Sequence, residues 1–327
     1  MAKKSIYLDQ NFWIGLAESD MGKGRGAFPD LLKAMRLKRS ALFCPVSAVH
    51  LFELHKIVDE TIRASRAKLM DEFSDGLCAL PWFDILDLQI ENAAVDFLQM
   101  PAAQKTDIKR VIFKPLRFAL GEFSTDYGSM AGEFPVAELA AYQKECEEGL
   151  KRITFTDIAT ETFSLPAHDE LRADNKKWAD SQNAEKDARA AAKSKYSRSA
   201  EWERNHRELC KDLLALITES IKGLRAKGFP FGDNISEFVK SSYFKEIPFM
   251  FNVASWLTAE MADTGIRFEE NDYEDWQHIC AALPYSDAFV TEKHAHNVTT
   301  QILKLDQRYG TTILKDPVDL LNTVMGL

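Results

Sequence analysis

The chain has 327 residues, a length that favours one large domain or a core with a sizeable insertion. Its apolar content of 46% is ordinary for a globular protein that buries a core. The formal net charge of −9 argues against a uniformly basic surface for strong nonspecific nucleic-acid binding. A local basic groove and a carboxylate-rich metal site both remain compatible with that charge.

The cysteine content and the N-terminus both bear on the cellular compartment. The cysteines are scattered and form no C-x-x-C pair, which predicts free, buried thiols in a reducing compartment. No apolar run approaches the length of a membrane span, and the opening MAKKS is not followed by the apolar segment of a signal peptide. We therefore expect a cytoplasmic protein with no membrane partner.

The first eighty residues predict alternating strands and helices. SIYLD predicts a strand that ends on Asp9, and QNFWIGLAESD and PDLLKAMRLKRS predict two helices. ALFCPVS predicts a second strand, after which Ser47 fits the N-cap of one long helix over AVHLFELHKIVDETIRASRAKLMDEF. This order of elements is typical of an α/β fold with a parallel sheet.

The middle of the chain has a different pattern. From about residue 85 to residue 265 the apolar residues recur at helical spacing, as in QIENAAVDFLQM, VAELAAYQKECEEGLKRI and HRELCKDLLALITESIKGL. We therefore predict a large, mainly α-helical insertion at 81–265. It would interrupt a discontinuous core formed by 1–80 and 266–327.

A charged arm near residues 172–207 lies inside this predicted insertion. It is rich in Ala, Lys, Arg, Asp and Glu, poor in large aliphatic residues, and more basic than the whole chain. One interpretation is a solvated helix or a partly mobile arm. The other is an arm that binds RNA phosphates and stacks Trp178, Tyr196 or Trp202 on bases. Its candidate phosphate contacts are Lys193, Lys195, Arg198, Arg204 and Arg207.

The end of the chain returns to the α/β pattern. NDYEDWQHICAAL predicts a helix, DAFVT a strand, and HNVTTQILKLDQRYG a helix closed by its glycine. TTILK predicts a last strand. DPVDLLNTV predicts a last short helix, with Asp316 as its N-cap and Pro317 in its first turn.

Acidic residues accompany the predicted strands. In α/β sheets the functional groups collect at the carboxyl ends of parallel strands, so four to six carboxylates are expected to converge on one cleft. Each also has a structural interpretation: Asp9, for example, is well placed to cap the helix that follows it. The candidate acids are Asp9, Glu53, Asp272, Asp275, Asp287 and Glu292.

In this order the stretches resemble the PIN-like nuclease family. The resemblance rests on IYLDQNFWIGL, ALFCPVSAVHLFEL and DYEDWQHICAALPYSDAFVTEKHAHN followed by TTILKDPVDLL, within residues 4–60 and 270–325. It implies a PIN-like parallel sheet flanked by helices. It also implies a metal-dependent endoribonuclease that hydrolyses RNA phosphodiester bonds, with toxin and defence systems as a common setting.

The resemblance also assigns the acids. Asp9 matches the first acid of the family, Glu53 the second, and Asp275 the third, with Asp272 as the alternative. The fourth acid is either Asp287, which resembles the acid of some PIN-like branches, or Glu292, where the family often has Asp. Of these two we favour Asp287.

Carboxylate clusters suit hydrolysis of a phosphodiester. Mg²⁺ and Mn²⁺ prefer oxygen ligands, and such a cation both activates water and offsets phosphate charge. It also offsets the mutual repulsion of the acids, which without metal are destabilising. Asn11 and Ser47 are further candidates for substrate contact, each with a structural alternative at a helix entry.

Other functions stay open at this point. A PIN-like module without catalysis would serve as a protein-interaction scaffold, and the departure at Glu292 favours that alternative. A DNA-directed nuclease of the related flap-type branch is a further possibility, although no Gly-rich helix-hairpin-helix segment is visible. The expected partners of an active enzyme are RNA and a protein regulator or antitoxin, and a homodimer is compatible with the sequence.

Overall fold

The computed structural model describes residues 3–118, 144–145, 148–149, 152–160, 168–191, 197–262, 267–270, 272, 276, 279–280 and 282–327. The strands are β1 (Lys4–Leu8), β2 (Leu42–Phe43), β3 (Leu77–Ala79), β4 (Phe113–Pro115), β5 (Ala288–Val290) and β6 (Thr312–Leu314). The α-helices are α1 (Gln10–Asp20), α2 (Phe28–Leu37), α3 (Ala48–His55), α4 (Glu60–Ser74), α5 (Trp82–Phe97), α6 (Ile108–Val111), α7 (Phe155–Thr160), α8 (His168–Ala191), α9 (Arg198–Asp212), α10 (Leu214–Ala226), α11 (Ile235–Lys240), α12 (Ser242–Lys245), α13 (Pro248–Ala262), α14 (Lys293–Asn297), α15 (Leu305–Tyr309) and α16 (Pro317–Met325). Short 3₁₀ turns occupy Ala102–Gln104, Leu116–Phe118 and Leu283–Tyr285, and a π-helical turn occupies Val298–Ile302.

A four-stranded parallel sheet joins the two ends of the chain, as the α/β pattern predicts. Its strand order is β2-β1-β5-β6. β1 pairs with β5 so that Ile6 lies opposite Ala288 and Leu8 opposite Val290. Because all four strands are parallel, the loops after β1 and β5 leave the same edge of the sheet.

Helices cover both faces of this sheet. Side chains alternate between the faces along a strand, so Ile6 and Leu8 pack with α1, α2, α3, α4 and α16, whereas Tyr7 points the other way. Tyr7 stacks on Phe289 with ring centroids 5.4 Å apart, in a cluster that also contains residues of α13, α14 and α15. Two buried apolar layers therefore hold the sheet in place.

The prediction of one long helix after Ser47 is wrong, because the structure has two helices there. α3 ends at His55 and α4 begins at Glu60. The apolar spacing continues across the break, but Asp59 caps the second helix, its carboxylate accepting from the backbone N–H groups of Thr61 and Ile62. The break leaves α3 as a short helix that carries Glu53.

Two short strands, β3 and β4, were not predicted from the sequence. They pair antiparallel, and β4 interrupts the region predicted to be mainly helical. Val46, just after β2, forms a parallel bridge with Cys78 of β3. These strands are three residues long and show no alternation, so their pairing partners specify them more than their own sequence does.

Helices α9 to α13 form a separate apolar cluster with α5, whereas α7 packs into the core that contains Ile6 and Leu8. The centre of the separate cluster contains the fully buried rings of Phe231, Phe238, Phe244 and Phe249. The stretch 136–153 lies largely outside the described residues, as does the helix predicted over NDYEDWQHICAAL. None of the helices in the described ranges is both long and apolar enough to cross a bilayer.

The C-terminal elements match the prediction except at one helix. β5, β6 and α16 lie where the sequence places them, and Asp316 caps α16 by accepting from the Val318 N–H at 2.7 Å. HNVTTQILKLDQRYG is not one helix. Lys304 adopts φ 57°, a left-handed conformation that ends the first helical segment before α15 begins, and Gly310 closes α15 at φ 68°.

Candidate functional site

The carboxyl ends of β1 and β5 define the candidate site. β2 lies beside β1 and β6 lies beside β5, so the connections run outward in opposite directions from this central pair. In open α/β sheets, ligands bind in the crevice that such a reversal creates outside the strand ends. Asp9 follows β1 directly and Thr291 follows β5 directly.

Asp9 is held in a fixed orientation at this point. Its Oδ1 accepts from the Asn11 backbone N–H at 2.8 Å, which makes Asp9 the N-cap of α1 as the structural interpretation predicted. Its Oδ2 accepts from the Thr291 hydroxyl at 3.4 Å. The side chain is nevertheless buried, with 9% of its surface exposed, and it forms no ion pair with any residue in the described part of the chain.

The pKa of Asp9 shows which charged residues lie near it. Its pKa is raised to about 6, first by burial and then by the negative charges of Glu292 and Glu53. The hydrogen bonds from Asn11 and Thr291 act in the opposite direction. Glu53 and Glu292 are therefore close enough to Asp9 to repel its charge, so three of the six predicted acids lie near one another at this edge.

Glu53 reaches this edge from α3. It forms an ion pair at 2.8 Å with Lys56, the residue that follows the last residue of α3, and both side chains are about one-fifth exposed. Glu53 is thus partly neutralised by a local lysine. Any cation that binds between Glu53 and Asp9 would compete with that lysine.

A buried hydrogen-bond chain connects β1 to the helix that carries Glu53. The Ser47 backbone N–H donates to His50 Nδ1 at 3.0 Å, so the proton of the neutral ring lies on Nε2, which donates to the Leu8 carbonyl at 2.7 Å. The Tyr7 hydroxyl lies 2.8 Å from Ser47 Oγ. His50 is fully buried, and burial lowers its pKa to about 4. Ser47 is the N-cap of α3, as predicted. It is buried, with 8% of its surface exposed, and takes part in this hydrogen-bond chain.

Asp287, the favoured fourth acid, lies at the wrong edge of the sheet. It precedes β5, and its Oδ2 accepts from the Ser5 N–H at 3.0 Å and from the Ser5 hydroxyl at 3.1 Å. Ser5 is four residues before Asp9 along β1, a separation of about 13 Å at roughly 3.3 Å per residue. The expectation that Asp287 joins Asp9 is therefore wrong, because a residue before a parallel strand lies at its amino end. Glu292, after the strand, is the acid that reaches the site.

A second group of titratable residues is formed by Glu260 of α13, His294 of α14 and Asp272. His294 Nε2 is 2.8 Å from a carboxylate oxygen of Glu260, which is buried at 5% exposure. The pKa of Asp272 is raised by burial and by the charge of Glu260, and lowered by the Glu269 N–H bond and by His294. Asp272 therefore lies beside Glu260 and His294. Glu260 was not among the predicted site residues, because it belongs to a helix of the predicted insertion.

The other predicted site residues divide into three groups. Asp275, Lys193, Lys195 and Tyr196 lie outside the described residues. Asn11, Arg198 and Arg207 are exposed and accessible. Arg204 is ion-paired with Glu185, and Trp202 is bonded through its indole N–H to Ser255 at 2.9 Å and stacked on His206, so Trp202 is not available for stacking on a base.

The donor chemistry at the carboxyl edge fits a hard divalent cation. Asp9 is a desolvated carboxylate beside two further acids, and oxygen ligands are those that Mg²⁺ and Mn²⁺ prefer. Among the described residues, no three His, Cys, Asp or Glu side chains are already arranged as a complete metal-binding group. The three acids therefore match such a cation in charge and donor type, although the described residues do not hold them in a preformed metal geometry.

Comparison with protein-family models, with curated proteins and with solved structures found no match to the chain.

Proposed function

We propose that the protein is a metal-dependent endoribonuclease of the PIN-like class, which hydrolyses RNA phosphodiester bonds at the carboxyl ends of β1 and β5. The observation that carries this proposal is the buried carboxylate of Asp9, which faces the charges of Glu53 and Glu292 without a cationic partner in the described part of the chain. Such an arrangement is costly unless a cation compensates it.

Asp9, Glu53 and Glu292 would hold the cation. A bound Mg²⁺ or Mn²⁺ supplies a Lewis acid that lowers the pKa of water and offsets the charge of the phosphate. The Asn11 N–H and the Thr291 hydroxyl fix the two oxygens of Asp9, so its carboxylate keeps one orientation during binding. Asp275, the third acid implied by the resemblance, would complete the set.

The substrate of this site would approach over exposed polar residues. The side chain of Asn11 lies at the first turn of α1, beside Asp9, and is exposed. Arg198 and Arg207 on α9 are exposed basic side chains that would contact phosphates of a longer RNA. In a toxin or defence setting, a protein regulator such as an antitoxin would act by covering this edge of the sheet.

Cleavage of labelled single-stranded RNA by the purified protein tests the proposal. We expect cleavage in Mn²⁺ or Mg²⁺, none in a chelator, and a loss of about 100-fold or more in Asp9→Asn. Asp287→Asn is the matched control, since it makes the same change at the opposite edge and should cleave normally. Full activity of Asp9→Asn would rule out this site, and preferential cleavage of DNA would favour the flap-type alternative.

A catalytically inactive scaffold is the second candidate function. The ion pair between Glu53 and Lys56 favours it, because the lysine already neutralises one of the proposed ligands. A protein that neither binds Mn²⁺ nor cleaves RNA, and whose Asp9→Asn variant behaves as the wild type does, would support the scaffold.

A further inference from the structure

A cavity of about 620 Å³ lies within the helical layer, and none of its lining residues belongs to the candidate nuclease site. Its volume is in the range of about 300–1,000 Å³ that is typical of small-molecule sites. Helices α8 and α9 form two of its walls, and the indole rings of Trp82, Trp178 and Trp276 line it. This combination of volume and aromatic lining makes it a candidate binding site.

The ion pairs between α8 and α9 fix which residues share each end of the cavity. Glu185 pairs with Arg204, and Arg189, further along α8, pairs with Glu201, which is earlier on α9. The two helices are therefore antiparallel. Two helical turns before Glu185 lies Trp178, and about two turns after Arg204 lies Asp212. Trp178 and Asp212 consequently line the same end of the cavity.

The charges at the two ends differ. At one end Arg189 and Arg204 are neutralised by Glu185 and Glu201, so neither guanidinium is left for an anionic ligand. At the other end Asp212 forms no hydrogen bond or ion pair within the described ranges. Burial and the charge of Glu208 raise its pKa, and the charge of Lys211 lowers it. The end of the cavity at which Trp178 and Asp212 lie therefore carries a carboxylate that no ion pair in the described ranges neutralises.

The three indole rings are held in place by other aromatic residues. Trp82 stacks on Phe249 with centroids 5.1 Å apart, and Trp276 meets the same ring edge-on at 6.0 Å. Trp178 meets Phe268 edge-on at 5.6 Å. Indole faces attract cations through the ring quadrupole, and Trp is the strongest of the aromatic side chains in this respect. Preorganised indoles and a carboxylate that line one cavity are the elements of a site for an organic cation.

We propose that this cavity, whose lining includes Trp82, Trp178, Trp276 and Asp212, binds a small organic cation with a quaternary ammonium group. The site is independent of the nuclease proposal, since it uses none of the same residues. A neutral ligand of the same shape would gain the apolar contacts but neither the indole attraction nor the carboxylate.

Proton–nitrogen NMR spectra of the tryptophan indole N–H groups test this directly. Choline is the probe, and its neutral carbon analogue, in which carbon replaces the ammonium nitrogen, is the comparison ligand. We expect choline to shift the signals of Trp82, Trp178 and Trp276 saturably and to leave the core residue Trp13 unchanged. Choline should bind about tenfold more tightly than the analogue.

Two variants complete the experiment. Asp212→Asn removes only the charge of an exposed residue and should weaken choline binding about fivefold. Asp233→Asn, which changes an exposed aspartate outside the cavity, should leave choline binding unchanged. Equal affinity for choline and its neutral analogue would overturn the proposal. So would the absence of a saturable shift with choline, or a stronger response of the same signals to adenosine monophosphate.

Discussion

The hydroxyl of Thr291 and the Oδ2 atom of Asp9 lie 3.4 Å apart, although the two residues are separated by 282 positions in the sequence. The contact joins the ends of two central parallel strands, one from each end of the chain. It brings Glu292, the next residue, close enough to repel the charge of Asp9. The chemistry proposed for the protein depends on this meeting of the two chain ends.

The substitution Asp9→Asn is expected to stabilise the protein at high pH. The pKa of Asp9 rises from 3.8 to about 6 on folding, so the folded state binds this proton more tightly than the unfolded chain does. The free energy of unfolding therefore falls as the pH rises through that window, by about 3 kcal/mol in total. Chemical denaturation in a chelator should find Asp9→Asn more stable than the wild type at pH 8 and nearly equal to it below pH 4. An unchanged or lower stability at pH 8 would contradict the assigned burial and repulsion.

Replacement of His50 by Phe should destabilise the fold and change its pH dependence. The Ser47 N–H and the Leu8 carbonyl would both lose a buried partner, at a cost of about 2–4 kcal/mol. The pKa of His50 is lowered from 6.5 to about 4, so its stabilising contribution is complete above pH 6.5 and is lost as the pH falls toward 4. Removal of His50 should therefore flatten that part of the stability profile.

The measurement for His50 is best made in the Asp9→Asn background, because Asp9 and His50 act in opposite directions between pH 4 and 6. His55→Phe, on the same helix, is the matched control and should leave most of the acid-side slope in place. The account of the buried hydrogen-bond chain would be wrong if both histidine variants lost the same stability.

Asp287→Asn should weaken the fold slightly and leave metal binding intact. The carboxylate accepts two hydrogen bonds from Ser5 and is 3.2 Å from the Lys109 amine, so loss of its charge should cost about 1 kcal/mol. Burial raises the pKa of Asp287 but the Ser5 and lysine contacts outweigh it, and the net pKa is lowered. Its contribution to stability is therefore lost at acidic pH. Thermal unfolding checks the first effect, and a change in Mn²⁺ affinity would show that Asp287 belongs to the site after all.

Lys56→Met is expected to strengthen binding of Mn²⁺, by about threefold to tenfold, because it removes a cation that competes for Glu53. The pair is partly exposed, so the loss of stability should stay below about 1 kcal/mol. Lys33→Met is the matched control, since Lys33 makes a similar pair with Asp30 one turn away on α2. If Lys56→Met and Lys33→Met give the same Mn²⁺ affinity as the wild type, Glu53 is not a ligand.

The elements predicted correctly have strong local signals. β1 has a β-branched and aromatic apolar run, and the helices α1 and α16 combine an apolar pattern with an N-cap, Asp9 and Asp316 respectively. The break between α3 and α4 was hidden because the helical apolar spacing continues across it. β3 and β4 were missed because their pairing is a tertiary effect, which short sequences cannot specify alone.

The site was predicted in part for a similar reason. Asp9 and Glu53 were found because acids after the first two strands must lie at the same edge of a parallel sheet. The same rule, applied strictly, would have excluded Asp287 and chosen Glu292. The roles of Thr291 and His50 could not be predicted, because each depends on a contact with another element that only the folded chain brings near.

Calorimetric titration with Mn²⁺ tests the central claim, that Asp9, Glu53 and Glu292 together bind a divalent cation. The account predicts saturable binding by the wild type and by Asp287→Asn, and a loss of about 100-fold in affinity in Asp9→Asn and in Glu292→Gln. Equal affinity of Asp9→Asn and Asp287→Asn for Mn²⁺ would contradict it, as would RNA cleavage that continues unchanged in a chelator.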